Sequence, residues 1–396
     1  MKILNFKINF LDKIKNKIFP FYKEKEVKEL FDIFEKNQEK KVAMFVGGCI
    51  RNYLNNEEVD DIDIATVFTP EEIKKMFENT KIKVFETGIE HGSVTLINGK
   101  SKFEITTLRK DISTDGRHAK ILFTDDWQED SNRRDFTINA IYMDRRGNIF
   151  DPQSGVKNLK DNIVKFIGDP GQRIEEDYLR IIRFMRFSIH YNYLEPDFET
   201  LEALKLNLNK IQSISKERIF SELNKILKLK NVNILQTNEE IKNIFLLIFP
   251  EFKYVKRLEK YFFFENPSLI FSILLVDEKD NYEYFCHKYK VSNDLKKSLS
   301  FIAKSYSNFK KEKNFLKKDL KKNLYNYGKV NIKLLIKFIY CAELKFSPKL
   351  LSNLLKEVDR MVIPIFPFNG QYLKEHGFIE GKEIGFVLKE LEKEWL

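Results

Sequence analysis

Cysteine and long apolar runs are scarce in this chain of 396 residues. The three cysteines, Cys49, Cys286 and Cys341, lie too far apart for a Cys-x-x-Cys metal site, and their odd number argues against a disulfide framework. We therefore expect a reducing, cytoplasmic setting. No apolar run approaches the ~20 residues that span a bilayer, so we expect no membrane association. The 36 Phe and 16 Tyr exclude a disordered chain, because they supply the apolar surface for more than one core.

Arginine is also scarce, and it is unevenly placed. The chain carries 69 Lys+Arg against 59 Asp+Glu, a formal net charge of +10, which favours a polyanionic partner. Only 14 of the basic residues are Arg, and 11 of these lie between Arg51 and Arg186. The planar guanidinium fork suits phosphate groups and base edges better than the ammonium of lysine does. We therefore expect this third of the chain to bind such groups, although chance clustering or structural ion pairs would give the same pattern.

The distribution of glycine divides the chain into two regions. Ten of the 15 Gly lie between Gly47 and Gly171, and none occurs from residue 172 to 327. Short β-rich runs alternate with helical segments in the first third, whereas the glycine-poor part has apolar residues at helical spacing. We therefore predict an α+β fold, with a mixed-sheet head followed by an all-α neck, body and tail. The predicted strands are 43–46, 61–66, 93–97 and 102–107, with a helix at 70–77 and a hairpin turn at Asn98-Gly99.

Two glycines end the first predicted strand and open a helix. Gly47 and Gly48 follow the strand directly, and Arg51 lies one turn inside the helix. Paired glycines let a ligand approach the backbone closely, and the N–H groups that open a helix attract anions. The pattern predicts a phosphate-binding turn, although Gly-Gly before a helix often makes only a tight turn.

Two carboxylates follow about ten residues later. Asp61 and Asp63 alternate with Ile62 and Ile64, so strand periodicity places both carboxylates on one face. Neighbouring like charges favour a bound cation, and oxygen ligands shared with substrate phosphates suit Mg²⁺. We therefore predict that both aspartates are catalytic residues and metal ligands for two-metal phosphoryl transfer. Glu104, on the polar face of its own strand, is a third catalytic candidate, and an ordinary solvated glutamate fits its position equally well.

The motifs and their order in the chain resemble those of the family of class II tRNA nucleotidyltransferases and bacterial poly(A) polymerases. The glycine turn and the paired carboxylates are similar to the first motif of that family, and residues 133–140, Arg-Arg-Asp-Phe-Thr-Ile-Asn-Ala, are similar to the second. Three further motifs follow in family order, so the resemblance covers residues 45 to about 227. They are Asp151-Pro152-x-x-Gly155 with Gly168-Asp169-Pro170, then Glu176-Asp177-Tyr178-Leu179-Arg180, and then Ser215-Lys216-Glu217-Arg218.

The resemblance implies a polymerase-β-like nucleotidyltransferase head that uses Mg²⁺. It implies that Arg134 contacts the triphosphate and that Asp177 and Arg180 select C or A without a nucleic-acid template. It also implies a division into a catalytic head (1–165), a helical neck (166–245), and a body and tail that bind tRNA (246–396). The predicted nucleotide-binding residues are Gly47, Gly48, Arg51, Arg134, Asp177, Arg180, Arg183 and Arg186.

The spacing of the nucleotide-selecting segment has a physical reading of its own. Asp177, Arg180, Arg183 and Arg186 recur every three residues, which predicts one ridge on a helix with Asp177 facing Arg180. A carboxylate that accepts and a guanidinium that donates form a fork able to pair with the Watson–Crick edge of a base. In a helix without this resemblance, the same spacing would indicate a series of salt bridges on the surface.

Two other regions are less informative. Residues 108–126 are long for a connection without secondary structure, and the resemblance implies a flexible loop that helps to order the nucleotide when A is added. Further along, pairs such as Lys310-Lys311 and the aromatic run 261–264 favour a solvated face and a core over an RNA-binding surface.

The resemblance implies addition of C, C and A to the 3′ end of tRNA from CTP and ATP, with release of pyrophosphate. A poly(A) polymerase, or an enzyme that adds only CC or only A, shares the same catalytic motifs. A non-catalytic RNA-binding protein is an alternative of another class, which the intact carboxylates disfavour. The oligomeric state, a third metal ligand and the RNA contacts of the helical arm do not follow from the sequence.

Overall fold

The computed structural model divides the chain into two compact units. One unit ends at Asn231 and the other begins at Val232. The predicted division into residues 1–165, 166–245 and 246–396 stays a prediction. No helix in the described ranges is long and apolar enough to cross a membrane. The structure describes residues 19–115, 118–193, 195–261, 266–277, 279–312, 315–318, 320–363, 365–378 and 381–395.

A mixed β-sheet lies at the centre of the first unit. The strands are β1 (Ala43–Val46), β2 (Ile62–Thr66), β3 (Lys83–Gly88), β4 (Ser93–Asn98), β5 (Ser101–Thr107), β6 (Arg109–Asp115), β7 (His118–Phe123), β8 (Tyr142–Met143) and β9 (Ile149–Phe150). The main sheet has the order β3-β4-β5-β2-β1-β8-β9, and β6 and β7 form a separate hairpin. β2 and β5 run parallel, whereas the other neighbouring strands of the main sheet run antiparallel.

Helices surround this sheet and follow it in the chain. The α-helices of the first unit are α1 (Lys25–Phe34), α2 (Gly48–Leu54), α3 (Pro70–Phe77), α4 (Trp127–Asn132), α5 (Gly155–Lys160), α6 (Pro170–Glu176), α7 (Leu179–Tyr191), α8 (Phe198–Asn207) and α9 (Lys216–Leu227). Short 3₁₀ helices cover Phe21–Lys23, Ile89–His91, Thr137–Asn139 and Leu208–Ser213. The order confirms the predicted α+β class, in which a mixed-sheet head precedes helices.

The central elements form where the local sequence favours them most strongly. All four residues of β1 are buried, and Ile62 and Ile64 of β2 are 7% and 0% exposed. Such apolar strands pack only in the middle of a sheet that is covered on its faces. α3 begins after Thr69, whose side chain and that of Glu72 form a capping box. The observed bounds of β1 and α3 are those that the sequence predicted.

The remaining predicted strands agree with the structure to within one residue at either end. The Asn98-Gly99 turn joins β4 to β5, with Asn98 opposite Ser101, as predicted. Residues 108–126 contain the hairpin of β6 and β7, which sequence analysis did not predict. The flexible loop that the resemblance implies there stays a prediction. Sequence analysis also missed β3, β8 and β9. β3 has no buried residue, and β8 and β9 have two residues each, so none carries a clear apolar alternation.

The elements of the second unit are helical throughout its described residues. They are α10 (Ile234–Thr237), α11 (Glu239–Ile248), a 3₁₀ helix (Val255–Lys260), α12 (Pro267–Leu275), α13 (Asn281–Tyr289), α14 (Asn293–Lys311), α15 (Phe315–Lys318), α16 (Leu320–Ala342), α17 (Pro348–Arg360), α18 (Gly370–Glu375) and α19 (Lys382–Trp395). Aromatic side chains fill the core, where the rings of Phe245 and Phe249 lie 5.1 Å apart and those of Phe252 and Phe285 lie 5.4 Å apart. Lys310 forms an ion pair with Glu343 at 2.9 Å. Residues 262–264 of the aromatic run lie outside the described residues.

Among the described glycines of the head, Gly155 has the least room for a side chain. A Cβ atom at Gly155 would lie 2.2 Å from the carbonyl oxygen of Thr137 and 2.8 Å from Cγ1 of Ile141. We therefore expect Gly155→Ala to lower the free energy of unfolding by about 1–3 kcal/mol, the usual cost of overpacking. Urea unfolding followed by circular dichroism measures the change. Gly88→Ala is the control, because a Cβ there would meet Ser93 at an ordinary 3.5 Å. Equal unfolding midpoints for the two variants would contradict the expectation.

Candidate active site

The glycine turn between β1 and α2 brings several predicted site residues together. Gly47 has φ +74° and ψ −123°, a conformation that only glycine adopts readily. A Cβ at Gly47 would lie 3.9 Å from Oδ2 of Asp63 and 4.0 Å from Nη1 of Arg134. A Cβ at Gly48 would lie 4.0 Å from the same oxygen of Asp63 and 3.8 Å from Nη2 of Arg51. The turn, one predicted carboxylate and two predicted arginines therefore meet at one place.

The carboxylates lie on neighbouring strands at the centre of the sheet. β2 pairs with β5 so that Asp63 lies opposite Glu104. Asp61 is exposed and precedes β2 by one residue, and the exposed Asp61 and the half-buried Asp63 alternate with the buried Ile62 and Ile64, as the strand periodicity predicted. Glu104 is exposed and forms an ion pair with Lys102 at 2.8 Å. Within the described part of the chain, no group donates a hydrogen bond to the side chain of Asp61 or Asp63.

The electrostatic environment of Asp63 favours a bound cation. Burial and the nearby charges of Glu104 and Asp61 raise its pKa to about 6, against the opposing effects of Arg134 and Arg51. A positive charge beside this carboxylate would stabilise its ionised form. Among the residues described, no three His, Cys, Asp or Glu side chains form a ligand cluster. Two carboxylates without a closed cage fit a divalent ion that completes its coordination with water and phosphate oxygens.

Arg134 is held by a buried carboxylate that sequence analysis missed. Asp130 is fully buried and accepts hydrogen bonds from Nε and Nη2 of Arg134 at 3.2 and 3.0 Å and from the hydroxyl of Tyr142 at 2.7 Å. It also pairs with Arg133 at 2.6 Å. Burial alone would raise the pKa of Asp130, but the two guanidinium groups and the hydroxyl lower it overall. The only sequence signal was an aspartate three and four residues before two arginines.

A second buried carboxylate organises the other side of the glycine turn. Asp135 accepts from Nδ2 of Asn139 at 2.8 Å and from Nε of Arg183 at 2.7 Å. Nη1 of Arg51 donates to Oδ1 of Asn139. Burial would raise the pKa of Asp135, but Arg183 and Asn139 lower it overall. Sequence analysis assigned no role to Asp135 or Asn139, although both lie in the second motif.

The predicted nucleotide-selecting helix is interrupted. α6 ends at Glu176 and α7 begins at Leu179, so Asp177 lies at the corner between two helices, in an extended conformation. The prediction that Asp177 and Arg180 lie on one ridge of a single helix is therefore wrong, although the backbone N–H of Arg180 donates to the carbonyl oxygen of Asp177 at 3.0 Å. Asp177 instead accepts from Nη2 of Arg218 at 2.6 Å. Arg180 pairs with Glu176 and donates to the carbonyl oxygen of Arg173 at 2.7 Å.

The last two arginines of the segment are bound to carboxylates of the protein. Arg183 pairs with Asp135 at 2.6 Å and lies 3.7 Å from Glu222, and Arg186 donates to Glu222 at 2.7 Å. The guanidinium of Arg186 also lies 4.1 Å from the ring centroid of Phe187, within the range of a cation–π interaction. Part of the arginine clustering in the sequence therefore supports structural ion pairs.

The fold and the geometry of the turn define the class of protein, a nucleotidyltransferase head followed by helices. Proteins of this class use a divalent metal ion. Comparison with family models supports the same class. A model of the Poly A polymerase head domain matches residues 43–165. A second model, described as the probable RNA and SrmB-binding site of polymerase A, matches residues 194–254.

Similar proteins identify the family. The chain is 33% identical to CCA tRNA nucleotidyltransferase 1, mitochondrial, of Mus musculus, over 93% of this chain and 86% of the relative. It is 35% identical to the CCA-adding enzyme of Staphylococcus haemolyticus, over 80% and 79% of the two chains. The solved structure of the Bacillus stearothermophilus CCA-adding enzyme in complex with CTP has the same fold, with a TM-score of 0.70 and 22% identity over 93% of this chain and 92% of that chain. The chain belongs to the family of CCA-adding tRNA nucleotidyltransferases.

The buried pair of Asp130 with its arginines is expected to stabilise the head. We expect Asp130→Asn to lower the free energy of unfolding by about 3–5 kcal/mol, because two buried guanidinium groups lose their countercharge. The pKa of Asp130 is lowered in the folded state, so its contribution is present above its ordinary pKa and is lost as the pH falls. The stability of the variant should therefore depend less on acid pH than that of the unmodified chain.

Urea unfolding at pH 7 and at pH 3, which lies below the ordinary pKa of Asp130, measures both effects. The control is Glu129→Gln, which alters the neighbouring, partly exposed carboxylate paired with Lys110. Glutamine keeps an oxygen that can accept from Thr124, so stability should change little. A stability of Asp130→Asn equal to that of the control at pH 7 would contradict the assigned role of the buried pair.

Proposed function

We propose that this chain adds C, C and A to the 3′ end of tRNA from CTP and ATP, without a nucleic-acid template, and releases pyrophosphate. The observation that carries the proposal is the meeting of the Gly47-Gly48 turn, Asp63 and Arg134 at one place. The relatives that cover most of the chain supply the substrate class, because they are CCA tRNA nucleotidyltransferases and CCA-adding enzymes. A cytoplasmic location is consistent with Cys49, Cys286 and Cys341, which are buried free thiols.

The glycine turn and two arginines form the proposed triphosphate site. Without side chains at Gly47 and Gly48, phosphate oxygens can approach the backbone closely. Arg134 faces this turn and is oriented by its hydrogen bond to Asp130. Arg51, on α2, lies close to the same turn. Guanidinium groups held in this way offer fixed donors to the triphosphate and neutralise the charge that grows on pyrophosphate as it leaves.

Asp61 and Asp63 are the proposed ligands of a divalent cation, which we take to be Mg²⁺. Such an ion, when bound, stabilises negative charge on phosphate oxygens and on an attacking hydroxyl oxygen. The two aspartates provide oxygen ligands, and Glu104 on the adjacent strand is proposed as a third catalytic carboxylate that raises the negative potential around them. Two carboxylates and shared phosphate oxygens are the coordination that Mg²⁺ prefers.

The proposed reaction is a single displacement at phosphorus. The 3′ oxygen of tRNA forms a bond with the α-phosphorus of CTP or ATP while the bond to the bridging oxygen of the β-phosphate breaks. The hydroxyl proton passes to solvent, and pyrophosphate departs toward Arg51 and Arg134. The chain contributes positioning and charge neutralisation, with no covalent intermediate.

Asp177 and Arg180 are the proposed base-selecting residues. At C4 of the pyrimidine and C6 of the purine, cytosine and adenine carry an exocyclic amino group, whereas uracil and guanine carry a carbonyl oxygen at these positions. A carboxylate accepts from the amino group and repels the carbonyl oxygen, so Asp177 favours C and A. Arg218 pairs with Asp177, whereas Arg180 pairs with Glu176 and donates to the carbonyl oxygen of Arg173.

The carboxylates should be essential for nucleotide incorporation. We expect Asp61→Asn and Asp63→Asn each to lower the incorporation of labelled CTP into tRNA by at least about 100-fold, because a site for charge stabilisation is lost. Asp60→Asn is the control, since Asp60 is an exposed neighbour of the same chemistry. Unchanged incorporation by the Asp61/Asp63 double variant would show that the site is misplaced. Binding of tRNA without any incorporation by the unmodified chain would instead support a non-catalytic RNA-binding protein.

The products distinguish the proposed activity from its nearest alternatives. With tRNA that lacks its 3′ terminus, CTP alone should give two added residues, and CTP with ATP should give three. Gel electrophoresis of labelled tRNA resolves these products, and tRNA that already ends in CCA is the control that should not grow. Long A tracts would indicate a poly(A) polymerase. An absence of CTP incorporation, or of A addition, would indicate an enzyme restricted to A or to CC.

A further inference from the structure

Asn139 lies between the phosphate-binding and base-selecting parts of the proposed site. It ends the 3₁₀ helix Thr137–Asn139 and is only 7% exposed. The two ends of its amide have different partners. Oδ1 accepts from Nη1 of Arg51, and Nδ2 donates to Oδ1 of Asp135 at 2.8 Å.

These contacts extend to residues with different proposed roles. On one side, the carbonyl oxygen of Asn139 also accepts from Nη1 of Arg134 at 3.4 Å, so Asn139 contacts both arginines of the proposed triphosphate site. On the other side, Asp135 accepts from Arg183 of α7 at 2.7 Å. The side chain of Asn139 therefore connects Arg51, which follows the glycine turn, through Asp135 to α7, the helix that begins after Asp177.

The chemistry of the two partners selects an amide at this position. A guanidinium only donates hydrogen bonds and a carboxylate only accepts them. Asparagine presents one acceptor and one donor, so it satisfies both partners in one orientation. An aspartate would keep the acceptor for Arg51 but would place a second negative charge against Asp135. A leucine of similar shape would leave both buried partners without this contact.

We propose that Asn139 is a positioning residue. It holds the triphosphate-binding arginines, Arg51 and Arg134, in a fixed arrangement relative to the base-selecting residues at the start of α7. Nucleotide affinity depends on the contact with Arg51, and base selectivity depends on the contact with Asp135 and, through it, Arg183. This inference rests on the proposed nucleotide addition and assigns a task to a residue that does not itself touch the reacting atoms.

The test compares two substitutions that break the contacts differently. Asn139→Leu removes both contacts, whereas Asn139→Asp retains the acceptor for Arg51 and removes the donor to Asp135. Asn158→Leu is the matched control, because Asn158 donates to Thr137 in the same 3₁₀ helix at 2.8 Å and contacts none of the proposed nucleotide-binding residues. The measurements are kcat and KM for CTP with tRNA that lacks its terminus, the ratio of CTP to UTP incorporation, and the thermal unfolding midpoint.

We expect Asn139→Leu to raise the KM for CTP and to lower the CTP-to-UTP ratio, each by about tenfold, the effect of losing one charge-assisted hydrogen bond. Asn139→Asp should lower the ratio to a similar extent and leave the KM within about threefold of the unmodified chain, because Arg51 keeps its partner. Asn158→Leu should change only the unfolding midpoint.

Several outcomes would overturn the inference. One is a KM and a CTP-to-UTP ratio for Asn139→Leu equal to those of the Asn158→Leu control. Another is an equal rise in KM for both Asn139 variants, which would mean that the amide supports the fold and not the separate contacts. Efficient incorporation by the unmodified chain together with either result refutes the inference and leaves the proposed function intact. Failure of the unmodified chain to incorporate any nucleotide refutes both.

Discussion

Two carboxylates that are shielded from water, the buried Asp130 and the largely buried Asp135, are the constraint on which the rest of the head depends. A charge removed from water is stable only when opposite charges and hydrogen bonds surround it. Asp130 meets this requirement with Arg133, Arg134 and Tyr142, and Asp135 meets it with Asn139 and Arg183. Each partner is thereby held in one direction. Arg134, which faces the glycine turn, and Arg183 of α7 are therefore placed by the same electrostatic requirement.

The carboxylates of the head fall into two groups that differ in their hydrogen bonds. Asp130 and Asp135 are saturated by donors, which lower their pKa values despite burial. Asp63 lies beside other carboxylates, receives no hydrogen bond from the described residues, and has a raised pKa. Saturated carboxylates orient other side chains, whereas an unsatisfied one attracts a cation. This difference separates the supporting residues of the site from its proposed metal ligands.

The choice of arginine over lysine follows from the number of contacts that each side chain makes. Arg134 donates to Asp130 and Tyr142 and still presents Nη1 toward the glycine turn, and Arg173 donates to two backbone carbonyl groups and to Glu176. A single ammonium could not span these acceptors in one plane. The concentration of arginine between Arg51 and Arg186 thus reflects internal support in addition to the proposed ligand binding.

Local sequence determined much of the head. The apolar run of β1, the capping box of α3 and the Asn-Gly turn act within a few residues, so their bounds were predictable, as was the side of β2 that carries Asp63. Family motifs added the residues of the site. Only the tertiary structure decided which charges pair. Asp177 pairs with Arg218 and not with Arg180, because the helix is interrupted at Asp177. Asp135 pairs with Arg183, which lies 48 residues further along the chain. Such pairs depend on packing between elements, which periodicity along one element cannot reveal.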